Sequence, residues 1–271
     1  MNLEIAQRVA LVCYGNAVIR GIPVPRFFPE HATCRYCDSV VFTNVVTHAD
    51  GTRFRDLVYD TPDAWLRDLP HRGVRELALV QEPRQENGLP ERQAAAFANG
   101  GRLWRIEARL ENGMTEEWIT DWTVLDRDAP ADKIWRAEYA RWQTVATAGP
   151  SSRPIAASRA ELREALEQTA AFATIHVNEF APIFARALDA LDGRVPAAEP
   201  FDDIVPIGVL SAEAQTLLRA AMRAYVFGGM GSWNDMQFHD DIQRDYERLS
   251  DTLYARVNEA IAVAATSSRL D

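Results

Sequence analysis

Lysine is nearly missing from this chain of 271 residues. Of its 29 basic residues all but Lys133 are arginine, a bias that reflects GC-rich codon usage and points to a bacterial source. Cysteine is sparse too. Cys13, Cys34 and Cys37 cannot all pair within one chain, which excludes the even disulfide framework of small secreted domains and favours a reducing compartment. No stretch approaches the ~18 apolar residues of a membrane-spanning helix. The opening MNLEIAQRVALVCYGN carries neither a basic leader nor a convincing cleavage site, so a cytoplasmic protein away from membranes is expected.

Positive charge is in deficit. The formal net charge is -10, with 18 basic against 21 acidic residues through position 150 and 11 against 18 beyond it. Such a surface repels phosphate backbones, and without a basic stripe a nucleic-acid role is excluded. Acidity points instead to basic or neutral proteins and peptides, or to cations. Catalytic signatures are also missing: GxSxG, HExxH, GxGxxG, the kinase motifs and any convincing Cys-His pair are all absent.

What is present has a clear organisation. From about 7 to 146, VALVCYGNAVI, SVVFTNVVTH, TRFRDLVYD, VRELALVQ, RLWRIEARL, EEWITDWTVL and IWRAEYARW are rich in β-branched and aromatic residues and read as strands. The first of these equally fits a helix over residues 3–14. HADGT and ENGMT place Asp-Gly and Asn-Gly at tight hairpin turns. A short helix is expected at TPDAWLRDL behind a Thr61 cap, and another in LPERQAAAFANGG.

Beyond a small, polar, proline-containing stretch the period becomes helical. Ser158 and Glu161 suggest a capping box, followed by a stripe of Leu162, Leu166, Thr169, Ala173, His176 and Phe180, with Pro182 breaking the helix. Ser211 caps a third helix carrying Leu217, Leu218, Ala221 and Tyr225. A fourth, from about 239 to 265, has an apolar seam from Ile242 to Ala264. The expected fold class is α+β: a mainly antiparallel sheet domain with a few short helices over 1–148, a linker over about 149–156, and a small helical bundle over 157–271.

Two clusters carry candidate chemistry. HATCRYC gives His31, Cys34 and Cys37 zinc-ligand spacing, with Cys13 or His48 as a possible fourth donor, although the recognisable second half of a structural zinc site is lacking. A thioredoxin-like role fits less well, because CRYC does not open a helix in a βαβ unit. AYVFGGMGSWNDMQFHDD, residues 224–241, combines glycines with an exposed-reading tryptophan and several ligating side chains.

In that second stretch a helix running to Phe227 needs a left-handed cap, which Gly228 or Gly229 supplies. Gly229, Gly231, Ser232, Trp233 and Asn234 are candidate ligand-binding residues. Asp235, His239 and Asp240, with His176 from the preceding helix, are candidate ligands for a divalent metal cofactor. Asp241 and Asp245 alternate with Arg244 and Arg248 as a solvated helix face. Trp104, Trp118, Trp122, Trp135 and Trp142 fill the core or form an interdomain or partner surface.

The leading functional expectation is a non-catalytic bacterial cytosolic protein that binds a protein or peptide in an accessory, immunity-like role. The alternatives are a metal-dependent hydrolase and a small-ligand enzyme, each with its site in Gly228–Asp241, or an organic ligand held between the domains.

Overall fold

The protein is described by a computed structural model, which covers residues 2–48, 50–84, 88–146, 153–194 and 204–269. Six strands form one sheet: β1 (Cys37–Thr47), β2 (Arg53–Tyr59), β3 (Val74–Glu82), β4 (Leu103–Leu110), β5 (Met114–Val124) and β6 (Trp135–Ala146). Their order is β2-β1-β6-β5-β4-β3, antiparallel throughout except for the parallel β1–β6 pair. Four helices follow the sheet: α4 (Ile155–His176), α5 (Ala181–Leu191), α6 (Ala212–Arg223) and α7 (Asp240–Thr266). The fold is therefore α+β, with a mainly antiparallel sheet first and helices after it.

The first strand-like run is a helix, α1 (Leu3–Ile19), capped by the Asn2 side chain, which accepts from the Glu4 amide at 2.8 Å. Residues Glu4 through Ala17 are all buried. An element buried on every side has no polar face, so its sequence carries no period by which to distinguish helix from strand. Gly15 lets it sit close on the sheet, since a Cβ there would lie 2.2 Å from Leu77 Cδ1.

Two short helices, α2 (Pro62–Asp68) and α3 (Glu91–Ala94), lie between strands. Thr61 caps α2 as expected, accepting from the Ala64 amide at 3.3 Å. α3 is shorter than LPERQAAAFANGG suggests. Its continuation leaves the helix, and Asn99, at φ 61°, is turned toward β5. There the Asn99 carboxamide accepts from the Trp122 amide at 2.7 Å and donates to the Trp122 carbonyl at 2.9 Å.

The same device seals the edge of β3. The Asn16 carboxamide accepts from the Leu77 amide (2.7 Å) and donates to the Leu77 carbonyl (2.9 Å), standing where a neighbouring strand would be. One pleat on, the Thr266 hydroxyl accepts from the Leu79 amide (2.9 Å) and donates to the Leu79 carbonyl (3.2 Å). An edge strand so covered cannot recruit another chain. The opposite edge, β2, is exposed from Arg53 to Val58, with Phe54, Leu57 and Val58 in solvent.

The two faces of the sheet differ as period-two alternation demands. Inside, Phe42 stacks between Trp65 of α2 (4.6 Å) and Tyr139 (5.0 Å), and Trp104, Trp118 and Trp122 are buried. Outside, Arg105 meets Glu82 and Glu117, Arg109 meets Glu76, and Arg55 pairs with Asp121 and Glu138. Only Trp142 of the tryptophan group is well exposed, beneath the Arg53 guanidinium.

Helix starts depart from expectation where ion pairs compete. α4 begins at Ile155 behind Pro154, so Ser158 is an interior, buried residue. Glu161 does not close a capping box because Arg153 and Arg256 hold its carboxylate. The linker expected at 149–156 lies outside the described residues over 149–152, and α4 opens within its remainder. Ser211 caps α6, and α7 buries its seam from Tyr246 to Ala264, leaving only Ile242 at the start in solvent. Buried residues of sheet and helices form one contiguous cluster, with α7 packed on β3 and α1. No helix among the described residues is long and apolar enough to cross a membrane.

Candidate functional site

The glycine corner is held from inside. α6 stops at Arg223, not Phe227, because an extended run lets the alternate residues Tyr225 and Phe227 both reach the core, where Phe227 meets Tyr254 edge-on at 5.0 Å. Gly228 and Gly229 therefore cap no helix, and only Gly231, at φ 80°, uses the left-handed region. Ser232 caps the turn Trp233–Asp235, accepting from the Asn234 amide (3.2 Å) and donating to the Gly228 carbonyl (2.9 Å). Asp235 accepts from the Gly231 amide and closes the loop.

Trp233 is fully buried, contrary to its polar sequence surroundings. Its indole N–H donates to Ser250 Oγ at 2.8 Å, and its ring lies among Phe172, Phe180, Phe184 and Tyr246. Asn234 fastens the corner to α3, donating to the Arg92 carbonyl at 2.8 Å.

The metal candidates do not assemble into a ligand set among the described residues. His239 is exposed at the head of α7 and caps nothing with its side chain, and Asp240 beside it is exposed as well. His176 leaves the apolar stripe for solvent at the end of α4, lying against Phe172 (4.6 Å) and Phe238 (6.0 Å). His31 is buried, stacked 4.3 Å over Phe27, with Nδ1 accepting from the Thr33 amide at 3.2 Å.

Cys34 and Cys37 are buried beside Gln7 Nε2, at 3.9 and 3.7 Å. Burial pushes the Cys34 thiol up to about 12 and Cys37 to about 11. Cys13, also buried and about 12, lies by Ser268, and His48 stacks on Phe54 at the β1–β2 hairpin. Among the described residues no group of three or more His, Cys, Asp or Glu could hold a metal ion. Asp241 and Asp245 pair with Arg244 and Arg248 on an exposed face of α7.

A different place gathers aromatic and unsatisfied polar groups: a cleft where α1 begins, between the sheet and the helices. Its larger lobe, about 490 Å³, is lined by Trp122 and Trp135, with ring centroids 6.1 Å apart, by the chain at Ala95–Ala98, and by Tyr225, Phe227, Gly228 and Ser232. The Trp122 indole N–H has no hydrogen-bond partner. A smaller lobe, about 220 Å³, lies on the other side of Asn2, Glu4 and Tyr225, which line both. It is lined further by Arg8, Arg102, Thr120 and Tyr254.

Arg8 is 5% exposed and its ion pair with Glu4 is long, at 3.6 Å. Burial raises the Tyr225 and Tyr254 hydroxyls well above the phenol range, so both stay protonated. No protein family, curated protein or solved structure matches the chain.

A groove of about 800 Å³ between the outer face of β3–β5 and the ends of α4 and α7 is larger, but its arginines already hold carboxylates: Arg105 with Glu82, Arg109 and Arg269 with Glu76, Arg153 with Glu259.

Of the sequence candidates, Ser232 lines the cleft, joined by Gly228 from the same stretch and by Trp104, Trp122, Trp135 and Trp142 of the tryptophan group, while Trp233 packs behind the corner. Glu4, Arg8, Arg102 and Thr120 escaped the sequence reading, and Tyr225 entered it only on the apolar stripe of the third helix. One signal existed for two of them. Glu4 and Arg8 form an i, i+4 charge pair inside an otherwise apolar run, which on a buried helix must face a polar interior.

Proposed function

We propose that the protein is a bacterial cytoplasmic binder of a small organic ligand, held in the two-lobed cleft at the seam of sheet and helices. The observation that carries the reading is the pair of adjoining cavities that share Asn2, Glu4 and Tyr225, one lined by aromatic rings and the other by the polar side chains of Arg8, Arg102 and Tyr254. Ligand sites characteristically join an apolar enclosure to a few converging polar groups, and the larger lobe alone falls within their usual size. Three buried, unpaired thiols support a reducing location.

The test is thermal stabilisation by a panel of small aromatic compounds, read on the parent and on Trp135→Ala. A ligand at roughly a hundred times its Kd stabilises by about 2.7 kcal/mol, a plainly measurable rise in Tm. The parent should respond and Trp135→Ala should not. A panel that leaves the parent unmoved, or moves both alike, removes the reading.

A second reading, a protein or peptide partner, is favoured by one observation: the uncovered edge of β2 with Phe54, Leu57 and Val58 exposed. Such an edge can accept an added strand. A partner bound there should slow amide exchange in β2 and be lost in Leu57→Pro. A partner that still binds Leu57→Pro places the contact elsewhere.

A further inference from the structure

The cleft reading leaves the class of ligand open, and the lining of the larger lobe narrows it. Five aromatic rings border that lobe: Phe97, Trp122, Trp135, Tyr225 and Phe227. Trp122 and Trp135 meet edge to face at 6.1 Å with their planes 61° apart, and Tyr225 and Phe227 do so at 5.8 Å and 90°. Neither pair leaves a slot between its rings, so each presents one angled wall. Phe97, 65% exposed, and the half-buried Trp135 are the more open of the five, while the other three rings are buried.

Charge is scarce around this lobe. Among the described residues that line it Glu4 alone is ionised, because burial holds the Tyr225 hydroxyl protonated, and no arginine or lysine borders it. Arg8, the counter-ion of Glu4, borders the smaller lobe and not this one. The amide end of α1 would draw an anion, but the Asn2 side chain accepts from the Glu4 amide and the Glu4 carboxylate occupies the first turn. Free acceptors are scarce too. The Ser232 hydroxyl donates to the Gly228 carbonyl and accepts from the Asn234 amide, and the Glu4 carboxylate takes the Asn99 amide at 3.1 Å and Arg8 at 3.6 Å. An aromatic face attracts a cation through its quadrupole, the more so as water is excluded. An unalkylated ammonium brings three N–H donors that need acceptors, whereas a tertiary or quaternary one brings one or none.

We propose that the larger lobe binds a tertiary or quaternary ammonium group, its alkyl substituents packed against the Trp122/Trp135 wall and Phe97. The proposal rests on the cleft reading and gives its ligand a class. It makes Trp135 and Phe97 specificity-determining residues.

The experiment uses three probes with one ring and different heads: 3-hydroxyphenyltrimethylammonium, its neutral isostere 3-tert-butylphenol, and 3-hydroxyphenylacetate, titrated calorimetrically into the full chain. The ammonium should bind about ten-fold or more tighter than the isostere, and the acetate more weakly than both. Trp135→Leu keeps an apolar side chain without a ring, and the preference for the ammonium over the isostere should fall about three-fold or more. Phe97→Leu should lower it about two-fold. Its exposed position keeps the proposal decidable if Trp135→Leu does not fold.

Equal affinities of the ammonium and the isostere, tightest binding by the acetate, or an ammonium preference unchanged in both variants overturns the proposal and leaves the cleft reading standing. Failure of all three to bind the parent removes the cleft reading as well.

Discussion

Replacing Trp233 separates a residue that builds the glycine corner from one that serves a ligand. The indole is fully buried against four aromatic rings, and its N–H is bonded to Ser250. Trp233→Ala removes that packing and should cost about 3–5 kcal/mol. For a chain of this size each kcal/mol lowers Tm by about 2–4 °C, so the fall should be roughly 6–20 °C.

Trp233→Phe keeps a ring in place and removes the N–H donor. Ser250 Oγ still donates to the Tyr246 carbonyl at 2.6 Å, so only its accepting lone pair is orphaned. The expected cost is about 1–2 kcal/mol. Urea and thermal melts followed by far-ultraviolet circular dichroism give both values, and titrations with small aromatic compounds that stabilise the parent, carried out well below the transition, give the second readout. Binding should persist in both variants, because Trp233 lines neither lobe. Melting of Trp233→Ala within about 3 °C of the parent, less than one or two kcal/mol, would refute the packing argument. Lost probe binding at unchanged Tm would refute the placement of the site.

Asn16→Leu preserves bulk on α1 but orphans the Leu77 amide and carbonyl, two buried groups at about 1–3 kcal/mol each; a urea midpoint within error of the parent's would contradict the edge-sealing role. The buried thiols make stability fall at alkaline pH. Their folded values, about 11 to 12, lie above the ordinary thiol value near 9, so the contribution is complete below that value and is lost as pH climbs through the window above it. Each thiol should remove about 1.4 kcal/mol per pH unit there. Urea midpoints taken on either side of pH 9 measure the loss, native thiols should also resist alkylation until the chain unfolds, and a flat midpoint would refute the burial argument.

Most strands are legible because their β-branched and aromatic residues alternate between an aromatic face and an ion-paired one, while β2, exposed on both faces, is legible from its composition and its Asp-Gly turn. α7 was legible for the same reason in helical period. α1 was ambiguous because burial on all sides erases amphipathicity. The end of α6 differs from the sequence expectation because Tyr225 and Phe227 continue the helix by composition, yet reach the core only from an extended chain. The glycine corner drew attention through rare residues in close sequence. The cleft is assembled from α1, the segment after α3, β5, β6 and the run after α6. No local pattern records such a convergence, and only the Glu4/Arg8 pair hinted at it.

The sealing of β3 also has a temporal side. Thr266 meets Leu79 across 187 positions, and Ser268 meets Asn16 across 252. During synthesis Asn16 is in place before the strand, but Thr266 follows long after it, so for most of translation the Leu79 position of this edge lies open. Closure over so long a span is entropically slow. The interval between the emergence of β3 and the arrival of Thr266 is therefore when nascent chains can pair wrongly with one another, and the yield of folded protein should depend on the speed at which the α7 segment follows.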